Sequence, residues 1–127
     1  MGTPAIPENP AKAVSLAARA LTRAAHTQAT APHDHADFAA IASQMSEVLQ
    51  SLYTLNTNLA AQIAHYSDDR ILRSDDGRDA EEVMATIGYH GSALQNALTK
   101  AQAAADKMHL ELARIAVRVD LNAEGAR

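Results

Sequence analysis

The chain has 127 residues, a formal net charge of −4 and an isoelectric point near 5.8. Its length fits one domain, and its acidic balance argues against a phosphate-binding surface, so we expect no nucleic-acid partner. The absence of cysteine excludes a disulfide framework and a thiolate metal site, which favours a cytoplasmic protein. The first twelve residues lack a signal-peptide pattern and no stretch has the apolar length of a bilayer span, so we also expect no membrane partner.

The apolar residues are mostly small. Hydrophobic residues make up 47% of the chain but aromatic residues only 3%, and alanine supplies much of the difference. A core of alanine, leucine, isoleucine and methionine buries less area per residue than an aromatic one. We therefore expect modest stability or reinforcement by a partner chain. The abundance of alanine, and of arginine over lysine, indicates a bacterial, GC-rich source.

The first predicted helix covers residues 10–29. Asn9 followed by Pro10 is typical of an N-cap with proline at the first helical position. Pro32 disfavours helix at the residue before it. The prolines of residues 1–9 predict an extended, flexible segment there. One face of this helix is apolar, with Val14, Ala17, Leu21 and Ala24.

The second predicted helix covers residues 35–66, with Asp34 as its N-cap. The connection over residues 30–34 is short, which predicts that the first two helices are antiparallel neighbours. An apolar track runs along the second helix, formed by Phe38, Ile41, Met45, Val48, Leu52, Leu55, Leu59, Ile63 and Tyr66.

The polar residues 67–78 interrupt the helical pattern. They contain two similar runs, Ser67-Asp68-Asp69-Arg70 and Ser74-Asp75-Asp76-Gly77-Arg78. Adjacent aspartates do not fit the alternate-position spacing of a calcium loop, so turn and cap interactions with arginine neutralisation are favoured. Asp79 with Glu82 resembles a capping box that starts a third helix over residues 79–120. Residues 121–127 are predicted to be a frayed tail.

The third helix carries the longest apolar track, about six heptads or roughly 60 Å. No isolated helix keeps such a face in water, so it must lie against other helices. The predicted fold class is all-α: an antiparallel three-helix bundle of one short helix and a long helical hairpin, with coiled-coil-like packing. The track is formed by Ala80, Met84, Ile87, Gly91, Leu94, Leu98, Ala101, Ala105, Met108, Leu112, Ile115 and Val119.

Charge is depleted on the long hairpin. Between Phe38 and Ser67 the only aspartate, glutamate, lysine or arginine is Glu47, and between Val83 and Thr99 there is none. Loss of charge is typical of the centre of a protein interface. The first helix, about 30 Å long, covers only part of a hairpin about 60 Å long. The half of the hairpin near the 67–78 loop is therefore predicted to expose its apolar track.

We therefore predict a homo-oligomer, most simply an antiparallel dimer, with a groove open to a further protein partner. Glycines 88 and 91 favour close approach of another backbone, and a helix kink is the alternative. A monomer whose bundle twists enough to bury the track is the alternative to the oligomer. The predicted interface residues are Leu55, Leu59, Ile63, Tyr66, Met84, Ile87, Gly88, Gly91 and Leu94.

Four histidines form a candidate metal site. If the second and third helices pair around the loop, paired residue numbers sum to about 146, which places His109 level with Asp37. His26, His33 and His35 then lie near the same end, and imidazole with carboxylate suits Zn²⁺, Ni²⁺ or Cu²⁺. No helix carries a His-x-x-x-His or Glu-x-x-His pair, so ordinary solvent-exposed histidines are the alternative.

No motif indicates catalysis. The sequence has no Gly-x-Ser-x-Gly elbow and no phosphate-binding glycine loop. We predict no catalytic residues, no cofactor and no enzyme activity. The predicted function is a non-enzymatic interaction protein that self-associates through the charge-poor half of its hairpin, and the alternative is a small metal- or ligand-binding bundle.

Overall fold

In the computed structural model, the described residues are 9–32, 34–68 and 70–125, without the side chains of His35 and of residues 116–125. They form three α-helices, α1 (Pro10–Thr30), α2 (His35–Asp68) and α3 (Ala80–Gly125), and no strand occurs among them. The chain divides into two units, Met1–Asp34 and His35–Arg127. Most of the predicted N-terminal segment, and residues 126–127 of the predicted tail, lie outside the described residues.

The helix ends follow the local sequence signals. The side chain of Asn9 accepts a hydrogen bond from the N–H of Ala11 at 2.9 Å, with Pro10 in the first helical position. At the start of α3, the Asp79 carboxylate accepts from the N–H of Glu81 at 3.1 Å. α3 continues to Gly125, beyond the predicted end at residue 120. Because residues 121–124 contain neither proline nor glycine, no helix-breaking residue stops α3 before Gly125.

Helix α1 forms the first unit. Its charged residues are all basic: Lys12, Arg19 and Arg23. No residue of α1 is buried, and its apolar side chains Val14 and Leu21 are more than two-fifths exposed. The helix is therefore amphipathic, with an apolar face available for packing.

Helices α2 and α3 pack against each other as an antiparallel hairpin. Asn56 contacts Gly91, Ser46 contacts Asp106, and the partner of His109 is the carbonyl of Ala39. The partner number on α3 rises as the number on α2 falls, which defines the antiparallel direction. The pairing predicted from the sequence places His109 level with Asp37, whereas its observed partner is Ala39, two residues further along α2.

The contact between α2 and α3 is narrow. Among the described residues only Ala42, Leu98 and Ala105 are buried. They belong to two columns with seven-residue spacing, in which every member is buried or half-buried. The inward columns are Ala42, Leu49, Asn56 and Ile63 on α2, and Met84, Gly91, Leu98, Ala105 and Leu112 on α3.

The apolar track predicted on α2 is therefore only partly the packing surface. Phe38, Met45, Leu52, Leu59 and Tyr66 are each 40–54% exposed and lie beside the inward column. The inward column of α2 contains an alanine and an asparagine, so hydrophobicity alone favours the bulkier neighbouring column.

A chain of neutral hydrogen bonds crosses the hairpin, and we call it the Asn56 relay. The side-chain amide of Asn56 donates to the carbonyl of Gly91 at 3.0 Å and to the side-chain oxygen of Gln95 at 2.6 Å. The amide of Gln95 donates to the hydroxyl of Thr57 at 2.5 Å. That hydroxyl donates to the carbonyl of Tyr53 at 3.0 Å. A sliding of α2 along α3 would break these bonds, so the relay fixes the register.

The turn before α3 is held by Asp76. Its carboxylate accepts from the hydroxyl of Ser74 and from the N–H of Arg78 at 3.1 Å, and the Nε atom of Arg78 lies 2.7 Å away. These hydrogen bonds, from Ser74 first and then from Arg78, lower the pKa of Asp76. Gly77 adopts φ +80°, the left-handed region that favours glycine. The aspartate therefore acts in the turn interaction with arginine that the sequence predicts.

Replacing Asn56 by alanine tests the relay. We expect Asn56→Ala to lower the free energy of unfolding by about 1–2 kcal/mol relative to Asn58→Ala, because hydrogen bonds across the hairpin are lost. Asn58 is exposed on the same helix, so the gain in helix propensity is equal and cancels. Urea denaturation at one protein concentration, followed by circular dichroism, measures both variants. Equal stability of the two would contradict the role of the relay.

The pH dependence of the turn follows from the lowered pKa of Asp76. The ionised carboxylate is favoured by the fold, so the turn keeps its hydrogen bonds above the ordinary pKa of aspartate and loses them as the pH falls through the lowered value. Ser74→Ala removes the leading cause and should raise the pKa of Asp76. Carboxyl carbon shifts measured by NMR against pH report both values. An unchanged midpoint in Ser74→Ala would show that the hydroxyl has no such effect.

Candidate functional site

One side of the hairpin carries large apolar side chains that remain exposed. Leu59 of α2 and Ile87 of α3 line the same groove, so they lie on the same side of the hairpin. Side chains seven residues apart point in nearly the same direction, which extends this side along both helices. We call it the open apolar face, and it consists of Phe38, Met45, Leu52, Leu59 and Tyr66 on α2, and Ile87, Leu94, Met108 and Ile115 on α3.

The part of this face near the loop is concave. It forms a groove of about 530 Å³ between α2 and α3, with Leu59 and Ile87 at 53% and 41% exposure. The Asn56 relay lies at the end of the groove away from the loop. Every lining residue is uncharged, and the set comprises Asn56, Thr57, Leu59, Ala60, Ile63, Ala64, Ser67, Met84, Ala85, Ile87, Gly88, Gly91, Ser92 and Gln95.

The structure brings together most of the residues predicted for an interface. Six of the nine line the groove: Leu59, Ile63, Met84, Ile87, Gly88 and Gly91. The other three, Leu55, Tyr66 and Leu94, are exposed on the same two helices.

Tyr66 is covered on one ring face by a cation. The guanidinium carbon of Arg70 lies 4.0 Å from the centre of the Tyr66 ring, and Arg70 also donates to the carbonyl of Tyr66 at 3.3 Å. The aromatic ring thus lies in the last turn of α2 and contacts a residue at the start of the loop. The predicted interface ends there at a charged side chain.

The two glycines of α3 leave the floor of the groove bare. A Cβ atom added to Gly88 or Gly91 would meet nothing within 4 Å. Among the described residues, the hairpin itself therefore supplies no close backbone approach at either position. Each glycine lowers helix stability by about 1 kcal/mol relative to alanine, so two glycines in the middle of a helix require a structural reason.

Sequence reasoning missed the polar end of the groove. Asn56 and Gln95 lie outside the apolar tracks predicted on the two helices, yet both are half-buried and bonded to each other. One signal was present: Asn56 interrupts the column of Ala42, Leu49 and Ile63 at seven-residue spacing. A single asparagine in such a column is typical of a residue that fixes register.

The predicted metal ligands divide among different environments. His109 is half-buried, and its Nδ1–H donates to the carbonyl of Ala39 at 3.0 Å. His26 lies on α1 and is exposed. His33 and the side chain of His35 lie outside the described residues. Within the described part of the chain no group of three or more histidine, cysteine, aspartate or glutamate residues is placed to hold a metal ion.

Comparison of the chain with models of known protein families, with curated protein sequences and with solved structures gives no significant match. In the described residues, none of the helices is long and apolar enough to cross a membrane.

The metal interpretation is tested directly with untagged protein. We expect Zn²⁺ or Ni²⁺ to leave the melting temperature unchanged, because among the described residues no group of three or more possible ligands is placed to hold a metal ion. Metal analysis after dialysis should accompany the melting curve. Stoichiometric metal that disappears in His109→Ala would establish a site and overturn this expectation.

Proposed function

We propose that this chain is a non-enzymatic helical protein that self-associates through the loop-proximal half of its open apolar face, most simply as a homodimer. The observation that carries the proposal is the uncharged groove with Leu59 and Ile87 on its walls, both about half exposed. The burial of such apolar side chains against another apolar surface removes them from water, which lowers the free energy.

The size of the open apolar face supports an interface. The column from Phe38 to Tyr66 spans about 42 Å at helical rise, and two adjacent helices are about 20 Å wide. The product of this length and width is an area on the order of 800 Å². The largest apolar patch of a typical monomer is smaller, about 300–600 Å². The proposed self-association uses only the loop-proximal half of this face.

The absence of charge favours a second copy as the occupant. A partner with charged side chains would have to desolvate them against a groove that holds no opposite charge. A second copy brings the same surface, since Val83–Thr99 contains no aspartate, glutamate, lysine or arginine. Depletion of charge at the interface core is the usual composition of such contacts.

Helix α1 has a place in this proposal. Its 21 residues correspond to about 31 Å, which is shorter than the face of about 42 Å. Its apolar side suits it to be the short helix of the predicted three-helix bundle. A helix of this length is too short to cover the whole face, so part of the face is left for the second copy.

The chemistry of the groove supports a non-enzymatic role. Among the described side chains that line it there is no aspartate, glutamate, histidine, lysine or arginine, so it offers no ionisable general acid or base. The absence of cysteine supports a cytoplasmic location within this proposal.

Sedimentation equilibrium tests the oligomer. At tens of micromolar we expect a mass twice that of the 13.5 kDa chain. A loop-proximal contact of 15 residues per helix is about 22 Å long and buries on the order of 450 Å² per copy, which is small for a specific dimer, so micromolar affinity is expected. A single species at the monomer mass at these concentrations would reject the proposal.

Charge introduced on the face tests its location. We expect Leu59→Glu and Ile87→Glu each to give the monomer mass, because the carboxylate would be desolvated without a partner. Both positions are already about half exposed, so the helical circular dichroism should be retained. Ala61→Glu and Asn96→Glu are matched controls at exposed positions outside the groove and should remain dimeric. Dimers in all four variants would place the interface elsewhere.

A further inference from the structure

Two glycines in the middle of α3 have no explanation within the described hairpin. Gly88 and Gly91 have ordinary helical backbone, since Gly77 is the one described glycine in the left-handed region. An added Cβ atom would meet nothing within 4 Å at either position. Neither backbone conformation nor contact with α2 therefore requires a glycine there, although glycine disfavours a helix. A helix outside the hairpin that approaches the backbone at these glycines would supply the missing reason.

We propose that α3 of a second copy packs against α3 at Gly88 and Gly91, so that the two helices cross with their backbones in close approach. Ile87 of each copy then packs over the bare backbone of the other. This inference rests on the proposed self-association and specifies its geometry. It assigns the centre of the dimer to α3 and leaves Leu59 and the other groove residues of α2 at its flanks.

The surface of α3 is self-complementary over one helical turn. Ile87 projects with 41% exposure, and the adjacent Gly88 and the nearby Gly91 present no side chain. A two-fold symmetric contact requires that a projection and a recess lie on the same surface, because each residue pair occurs twice. Ala85 and Ser92, which also line the groove, extend the small surface by about a turn.

Charge permits this crossing at α3. Two copies of a segment brought together by a two-fold axis oppose like charge to like charge, which destabilises the contact. The segment Val83–Thr99 contains no aspartate, glutamate, lysine or arginine, so none of these side chains meets its like in the crossing, and the histidine of the segment, His90, is exposed and lies outside the groove lining. On either side the segment is bounded by charged residues, Glu82 and Lys100. The uncharged length is about 25 Å at helical rise, enough for a helix crossing.

Single cysteines provide the direct test, because the chain has none of its own. We expect at least one of Gly88→Cys, Gly91→Cys and Ser92→Cys to form a disulfide-linked dimer under mild oxidation at least about tenfold faster than Ala93→Cys, since a disulfide requires Cα atoms within about 7 Å. Ala93 is exposed, next to Ser92, and outside the groove, which makes it a matched control. Equal rates for all four variants would overturn the α3 crossing.

Leucine substitutions give a second readout. Gly88→Leu and Gly91→Leu should weaken the dimer at least about tenfold, since overpacking separates the two backbones, while Ala93→Leu should leave the dissociation constant unchanged. The open space at both glycines predicts that the helical circular dichroism is kept. A wild-type chain that stays monomeric would reject self-association itself. A wild-type dimer with unchanged dissociation constants in both glycine variants would reject only the α3 crossing.

Discussion

The structure depends on a constraint of two-helix packing: a pair of helices buries only one narrow strip of each. In this hairpin the strip contains both small and large residues, and of the three buried residues in the described part of the chain two are alanines, Ala42 and Ala105. Small residues bring the helix axes close but remove little apolar area from water. Bulky side chains such as Phe38, Leu59 and Ile87 are left beside the strip. The open apolar face is therefore a consequence of which columns pack, and an additional helix is needed to bury it.

The distribution of charge then restricts what can cover that face. A solvated surface normally carries acidic and basic residues at about every fourth position, whereas the groove has none. The neutral amides of the Asn56 relay satisfy each other across the hairpin, so the polar groups at the groove do not require an ionic partner. Apolar walls with internally satisfied polar groups favour a surface of the same kind, as a second copy provides.

Much of the architecture follows from local sequence signals, but the choice between neighbouring columns does not. Asn9 with Pro10, and Asp79 before α3, define helix starts because each satisfies free N–H groups in a way that few residues can. The antiparallel pairing of α2 and α3 follows from the apolar tracks of two consecutive helices that a polar loop joins. On α2, however, two columns compete, and the one that packs contains Asn56, whose hydrogen bonds to Gly91 and Gln95 depend on the facing helix. The only signal of this interaction in α2 itself is a single asparagine in an apolar column, which does not identify the facing residues.

The Asn56 relay makes the alignment of α2 with α3 insensitive to salt at this point of the hairpin. All of its donors and acceptors are neutral groups, so neither ionic strength nor physiological changes in pH alter their attraction. Cross-links made of ion pairs would weaken as salt screens them. The contribution of the Asn56 relay to the alignment of the two long helices therefore stays constant across the range of salt that a cell experiences.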